Sequence, residues 1–178
     1  MIQRMVGTAR LKAAAYEDVE ADKSATRQAV IVVLLGAIAT GVAFFNPSIQ
    51  TFVNPNTTPI SLGILHLVSF IFAAVIGWAL LALIAYLIGT KLLPSTDTSA
   101  DWGELARTLG FAQSPRVLLV FSLLPGIGVP VFVAVHIWIL VAQVVAIRQA
   151  LDYTSTLRAV VVTILSFIPY YIIMGLLV

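Results

Sequence analysis

The chain has 178 residues, of which 60% are hydrophobic, 10% are charged and none is cysteine. Soluble domains average about 25% charged residues, so this composition, with a mean hydropathy of +1.04, predicts an all-α polytopic membrane protein that forms one bundle. The lack of cysteine excludes disulfides, thiolate metal sites and cysteine nucleophiles. The net charge of +2 comes from basic residues that are not gathered into one patch, which argues against nucleic acid as a partner.

Residues 1–28 are predicted to form a cytoplasmic segment ahead of a membrane domain, residues 29–178. A short amphipathic helix on the inner membrane surface is expected near the N-terminus, with a frayed tail as the alternative. The acidic cluster at 17–22 is interpreted as a solvated linker, or alternatively as a docking patch for a basic partner. The first apolar run is expected to act as an uncleaved insertion signal. The apolar residues that share the face of the first helix are Ile2, Met5, Val6, Ala9 and Ala13.

Five apolar segments are predicted to be transmembrane helices, because a hydrocarbon core of about 30 Å requires about 20 apolar residues in a helix. Three small residues on the first span, Gly36, Thr40 and Gly41, predict close helix packing. Residues 46–59 contain three prolines and no charge, and they are predicted to form a loop. The predicted spans are residues 26–45, 60–90, 114–127, 129–148 and 156–177.

The polar segment 94–113 is predicted to contain a short amphipathic helix on the inner surface. Thr98 and Asp101 are expected to form a capping box at its start, and Gly110 is expected to end it. Trp102 is predicted to face the lipid boundary. The charged residues of the helix, including Arg107, are predicted to face water.

The longest uncharged stretch lies between Arg116 and Arg148 and is broken once by prolines and glycines. It predicts a hairpin of two helices that begins at Pro115, with the side chain of Arg116 extending to the inner surface. The first limb is short, so the hairpin either crosses the bilayer or stops within it. The residues of the break are Pro125, Gly126, Gly128 and Pro130.

The distribution of basic residues predicts the topology. With five spans, all ten Lys and Arg residues fall on one side of the membrane, and the positive-inside rule makes that side cytoplasmic. The N-terminus is then inside and the C-terminus outside. A single helix through residues 114–148 would move Arg148 and Arg158 to the other side, so the charges favour a hairpin.

Polar residues within the spans are candidates for function. His136 in the fourth span has Gln143 on the same face, and His66 lies near the start of the second span. These histidines are either ligands of a metal, a haem or a pigment, or part of a proton path, or they make hydrogen bonds within the bundle; the last is favoured. Two histidines without a nearby carboxylate do not make a metal site.

Signatures of enzymes are missing from the sequence. It contains no HExxH, no GxSxG and no pair of aspartates within a span. The sequence Gly126-Ile127-Gly128 lacks the third glycine and the lysine of a phosphate-binding loop. The spans contain no acidic residue, which argues against a proton- or cation-coupled transporter. The protein is therefore predicted not to be an enzyme and to need no cofactor.

Several short motifs occur in a definite order along the chain. Near the N-terminus, YEDVE at 16–20 precedes SATRQA at 24–29 and the first span. Later, GFAQSP at 110–115 precedes the apolar hairpin and its helix with Trp138. IRQAL at 147–151 and STLRA at 155–159 follow. In this order the motifs resemble the Yip1-domain membrane proteins in their short prokaryotic form, and the resemblance covers nearly the whole chain.

The resemblance implies a five-helix bundle with a cytosolic N-terminus, expected in the plasma membrane, the inner membrane of a prokaryotic cell. Eukaryotic relatives are implied to bind prenylated Rab GTPases and to shape or traffic membranes, but their aspartate-leucine-tyrosine-glycine-proline motif is absent here. What the resemblance implies for this chain is the fold and a non-enzymatic role.

The leading hypothesis is a non-catalytic scaffold or accessory subunit in the lipid bilayer that binds other integral membrane proteins or itself. The alternatives are a small-molecule channel or carrier gated at the Pro/Gly break, and a haem- or pigment-binding subunit that uses His136 with or without His66. The residues predicted to contact a partner or to act as a structural hinge are Trp102, Gly110, Phe111, Pro115, Pro125, Gly126, Gly128 and Pro130.

Overall fold

The computed structural model describes residues 1–56, 63–96 and 98–177. All of the regular secondary structure in this part of the chain is helical. A 3₁₀ helix, Ser114–Leu123, and a π-helical turn, Ile88–Leu92, accompany eight α-helices. The α-helices are α1 Ile2–Ala9, α2 Ala13–Ala21, α3 Ala25–Ala43, α4 Pro47–Val53, α5 Ile64–Leu87, α6 Trp102–Phe111, α7 Gly128–Ala150 and α8 Thr156–Leu177.

Four helices are long and apolar enough to cross a membrane: α3, α5 with its π-helical turn, α7 and α8. By length and composition, these four candidate spans coincide with four of the five predicted spans. The remaining one, predicted at 114–127, is the 3₁₀ helix Ser114–Leu123. At about 2 Å per residue it is about 20 Å long, shorter than the hydrocarbon core of about 30 Å. The structure is therefore that of a polytopic all-α membrane protein with four long helices and one short one.

The acidic cluster at 17–22 belongs to a helix, so its interpretation as a solvated linker is wrong. Tyr16 and Val19 of α2 are fully buried, three residues apart on one face. The Tyr16 hydroxyl lies within hydrogen-bond distance of the carbonyl oxygens of Thr8, 3.0 Å away, and Ala142, 3.2 Å away. Burial raises the pKa of Tyr16 above its ordinary value, which keeps the hydroxyl a neutral donor. The buried side chains of Tyr16 and Val19 dock α2 on α7, while the acidic side chains of Glu17 and Asp18 remain at the surface.

Helix α6 begins and ends later than predicted. Its capping box pairs Asp101 with Glu104, not Thr98 with Asp101, and the helix continues through Gly110 to Phe111. Gly110 is needed for packing: a Cβ there would lie 2.8 Å from the Cβ of Ala29 on α3. The helix is largely buried between α3 and α5, so few of its side chains face water.

The predicted loop at 46–59 contains a helix, α4, so that prediction is wrong for Pro47–Val53. Proline suits the first turn of a helix, and the Asn46 side chain caps it by accepting a hydrogen bond from the Ser48 amide, 2.9 Å away. Ile49 then anchors the helix in the core. Residues 57–59 of the predicted loop, and residues 60–62 at the predicted start of the second span, lie outside the described residues.

The hairpin turns at Gly126, whose φ of +79° lies in the left-handed region that glycine adopts readily. The Asn46 Nδ2 atom donates to the Ser122 carbonyl oxygen, 2.7 Å away. This bond ties the end of the 3₁₀ helix to the far end of α3. The turn at the Pro/Gly break is thus confirmed, and it leads directly into α7 at Gly128.

The opposite end of the bundle is held together by Tyr153, in the connection between α7 and α8. Its hydroxyl lies 2.6 Å from the Leu93 carbonyl oxygen and 3.1 Å from that of Gly89. Both carbonyls belong to the end of α5, where the π-helical turn Ile88–Leu92 breaks the regular pattern. Gly89 also lets the Leu151 side chain pack directly on the backbone. We refer to this set of contacts as the Tyr153 latch.

Candidate functional site

A small polar cavity lies inside the bundle, between α5, α7, α8 and the 3₁₀ helix. Its volume is about 110 Å³. An interior cavity lined by polar groups is unusual within a membrane-embedded bundle and marks a functional site by default. We refer to it as the polar cavity. The polar side chains that line it are Gln113, Arg116, His136, Gln143, Tyr170 and Tyr171.

Arg116 lies deep in the bundle, so the prediction that its side chain extends to the inner surface is wrong. Its side chain packs against Gly36 of α3, where a Cβ would lie only 2.9 Å from the Arg116 Cδ atom. The start of the hairpin follows α3, and the space left by Gly36 accommodates the arginine stem. Within the described residues, Arg116 forms no ion pair, and its buried Nε atom has no hydrogen-bond partner.

Two glutamines in the wall of the polar cavity are also buried. Gln113 is 4% exposed and Gln143 is 5% exposed. The Oε1 atom of each is buried and finds no hydrogen-bond partner in the part of the chain that the structure describes. Buried polar groups are nearly always hydrogen-bonded, so three groups here, counting Arg116, have unused hydrogen-bonding capacity.

The two histidines do not share a site. His136 lines the polar cavity, and its Nδ1 atom lies 2.8 Å from the Phe132 carbonyl oxygen one turn earlier in α7. Its ring packs on the Phe132 ring with centroids 4.2 Å apart. His66 is exposed near the start of α5 and does not line the cavity. The described residues contain no group of three or more His, Cys, Asp or Glu side chains that could hold a metal ion.

The other predicted site residues fall into two places. At the junction of α6 with the 3₁₀ helix, Phe111 and Pro115 are buried, and the Phe111 carbonyl oxygen accepts a hydrogen bond from the Ser114 hydroxyl at 2.6 Å. Trp102 is partly exposed, with its indole nitrogen 3.4 Å from the Ala79 carbonyl oxygen. At the hairpin tip, Pro125, Gly126 and Pro130 are exposed and Gly128 is buried. These residues do not meet at the polar cavity.

An apolar groove runs between α7 and α8 and opens toward the lipid. Its cavity volume is about 620 Å³. The groove and the polar cavity share three wall residues: Leu140, Phe167 and Tyr171. These three residues therefore stand between the groove and the polar cavity. Its other apolar wall residues are Val141, Val144, Val160, Ile164 and Ile168.

Outside the spans, Glu20 at the end of α2 is the carboxylate with the most perturbed environment. Burial, and then the negative charges of Asp152, Glu104 and Glu17, raise its pKa to about 7, while Arg107 acts in the opposite direction. The side chain lies against the connection between α7 and α8, where Asp152 is located. Glu20 thus titrates near neutral pH.

Stability is expected to fall as the pH rises through about 7. The pKa of Glu20 is about 7 in the folded protein and near 4.5 in the unfolded chain, so the folded state binds the proton more tightly. The free energy of unfolding therefore falls as the pH rises from about 4.5 to about 7, and it stays at the lower value above that range. The full shift corresponds to about 3 kcal/mol; partial exposure reduces our expectation to about 1–2 kcal/mol. Thermal unfolding in detergent from pH 4 to 8 measures this slope. Glu20→Gln should flatten it, and Glu17→Gln, which removes only the smallest of the charges that raise this pKa, should flatten it much less; equal slopes in all three proteins would refute the assignment.

The long apolar helices and the polar interior define an integral, multi-pass membrane protein. Residues 9–177 match the Yip1 domain, and the chain belongs to the Yip1 domain family. Members of this family are non-catalytic membrane-trafficking proteins that bind partners. No curated protein and no solved structure matches the chain. The prediction that the protein is not an enzyme is confirmed by the family.

Proposed function

We propose that this protein is a non-catalytic scaffold or accessory subunit whose groove between α7 and α8 binds a transmembrane helix of another integral membrane protein. The observation that carries the proposal is the groove itself, an apolar concavity of about 620 Å³ between α7 and α8. Without a hydrophobic driving force in lipid, helices associate where their shapes pack closely. The groove offers such a shape on the lipid-facing side of the bundle.

The small residues that were expected to offer contact faces support this choice of surface, because they are used inside the bundle. Gly41 packs against Leu67 and Phe70, and Gly77 faces the Tyr170 hydroxyl. These close approaches join α3 to α5 and α5 to α8. A partner helix therefore needs another surface, and the groove between α7 and α8 offers space for it.

A photo-crosslinking residue at Ile164, in the groove, tests the proposal in native membranes. The matched control is Phe72, which is exposed on α5 outside the groove. We expect one discrete integral membrane protein to be crosslinked at Ile164, to be absent at Phe72, and to co-purify with the protein in stoichiometric amount. Ile164→Trp should abolish that co-purification and Phe72→Trp should not. Lipid adducts alone at both positions would refute the scaffold function.

The proposal includes a fifth crossing, completed by the short 3₁₀ helix, with residues 1–28 and every Lys and Arg except the buried Arg116 on the cytoplasmic side of a plasma membrane. Two contacts support it. Arg116, near the start of this helix, packs against Gly36 in the middle of α3, and Ser122 near its end is bonded to Asn46 at the far end of α3. The 3₁₀ helix thus runs beside the second half of α3, and the hairpin tip reaches the same level as the end of α3.

Single cysteines should report this topology, since the chain has none of its own. In intact cells, a membrane-impermeant maleimide is expected to label Ile127→Cys at the exposed hairpin tip. It should label Ser155→Cys, in the exposed connection before α8, only after the membrane is permeabilised. Labelling of both from the same side would contradict the fifth crossing, and so would protection of Ile127→Cys from both sides.

A further inference from the structure

The level of Arg116 in the bundle decides what it can bind. Gly36, which it contacts, lies eleven residues after the start of α3 and seven before its end. At 1.5 Å per residue, these separations are roughly 16 Å and 10 Å. Arg116 is therefore near the middle of the membrane, where an unpaired charge is strongly disfavoured.

No carboxylate among the residues that the structure describes lies at that depth. Ion pairs among these residues join Arg4 to Asp18 and Asp22, outside the spans. The same residues of a second copy would not provide one either, because their seven acidic side chains lie outside the four long helices. They are Glu17, Asp18, Glu20, Asp22, Asp101, Glu104 and Asp152.

The polar cavity lies next to the groove on the lipid-facing side. Leu140, Phe167 and Tyr171 belong both to its wall and to the wall of the apolar groove. Tyr171 is largely exposed, so a side chain that projects from the groove meets one layer of residues before Arg116. Gln113 and Gln143 line the same cavity.

We infer that the polar cavity binds an aspartate or glutamate side chain near the middle of the partner's transmembrane helix, with Arg116 as its counter-ion. The inference rests on the proposed function, because the helix that carries the carboxylate is the one that occupies the groove. Paired arginine and carboxylate form charge-assisted hydrogen bonds, and each removes the other's cost of residing in lipid.

Depth favours a protein helix over an anionic lipid as the source of the carboxylate or phosphate. Lipid headgroups lie at the surface, about 15 Å from the centre of a core about 30 Å thick. The groove runs from Leu140 and Tyr171, beside the polar cavity, toward Val144 and Val160, nearer the connection between α7 and α8. A lipid with its head at Arg116 would have to lie inverted, its chain directed toward that aqueous connection.

The test uses the full-length protein in nanodiscs of neutral phosphatidylcholine and three synthetic transmembrane peptides of alternating leucine and alanine. One carries glutamate at its centre, one carries glutamine there, and one carries glutamate six residues from the centre. Binding is measured by energy transfer between labelled peptide and protein. We expect the central glutamate peptide to bind about tenfold more tightly than the other two.

Arg116→Met should abolish this preference, and Arg116→Lys should retain part of it. Arg27→Met removes an exposed arginine near the start of α3 and should leave the preference unchanged. Circular dichroism and gel filtration check that each variant is folded. A preference that survives in Arg116→Met would refute the assignment of the counter-ion.

Equal binding of the glutamate and glutamine peptides would overturn the inference and leave the scaffold function standing, since that function is tested separately by crosslinking at Ile164. Failure of all three peptides to bind would overturn it as well. If added phosphatidylglycerol or oleate co-purifies with the protein in an Arg116-dependent way and no peptide shows a preference, the ligand is an anionic lipid, and the inference is wrong.

Discussion

Replacing Arg107 with alanine is expected to release α1 and α2 from the bundle and to lower the free energy of unfolding by roughly 3 kcal/mol. Arg107 is only 4% exposed. Its Nε atom lies 3.3 Å from the Val19 carbonyl oxygen and 3.1 Å from that of Glu20, and its Nη2 atom also donates to Glu20. These carbonyls end α2 and have no partner within the helix.

The size of this effect follows from the backbone carbonyls that lose their hydrogen-bond donor. An arginine near the last carbonyls of a helix satisfies their hydrogen bonds and opposes the negative end of the helix dipole. Alanine would leave the Val19 and Glu20 carbonyls without this donor, and a buried unsatisfied group costs about 1–3 kcal/mol. Arg107→Lys keeps the charge but not the planar fork, so its loss should be intermediate.

Hydrogen exchange over Ala13–Ala21, together with thermal unfolding in detergent, measures the release. The matched control is Arg4→Ala, which removes an arginine whose partners, Asp18 and Asp22, are surface carboxylates. Exposed ion pairs contribute little, so this variant should exchange much like the wild type. Unchanged exchange of α2 in Arg107→Ala would show that the apolar contacts of Tyr16 and Val19 suffice to dock it.

Gly128→Val is expected to separate the hairpin tip from the end of α3, at a loss of about 3 kcal/mol. A Cβ at Gly128 would collide with the Ser122 carbonyl oxygen and with the Asn46 amide nitrogen. These two atoms form the hydrogen bond that ties the 3₁₀ helix to α3. The obstacle includes backbone, which cannot rotate away as a flexible side chain could.

Two other glycines serve as controls for Gly128→Val. Gly175 in α8 has open space around it, so Gly175→Val should change the melting temperature very little. Gly126→Ala also meets open space, but its φ of +79° should cost about 1–2 kcal/mol. We expect the order Gly128, Gly126, Gly175 in loss of thermal stability. Equal losses at Gly128 and Gly175 would contradict the packing at the hairpin tip.

The long helices could be predicted from the sequence because lipid imposes a simple rule of length and apolarity. The predicted final span, 156–177, coincides with α8, Thr156–Leu177. The acidic segment could not be predicted in the same way. Its buried face consists of Tyr16 and Val19, which stand between charged neighbours in the sequence. This face is buried because it contacts α7 in the folded protein.

The depth of Arg116 was equally inaccessible to sequence reasoning. Charges normally lie at the ends of spans, and Arg116 stands at the start of one. The structure places this start deep because α6, which precedes the 3₁₀ helix, is itself buried between α3 and α5. The spacing of Gln113 and Arg116, three residues apart, was the available signal of a shared polar face; the complementary space at Gly36 appears only in the fold.

The Tyr153 latch also has a consequence for assembly. It fastens the connection that leads into α8 to the end of α5, while the last turns of α8 carry exposed residues such as Ile172 and Leu176. Helix α8 is thus held in place where it begins, and its last turns present an exposed apolar surface. A helix that enters the groove would do so sideways from the lipid, after this chain is already folded and inserted. The two proteins could then be synthesised at different times and still join.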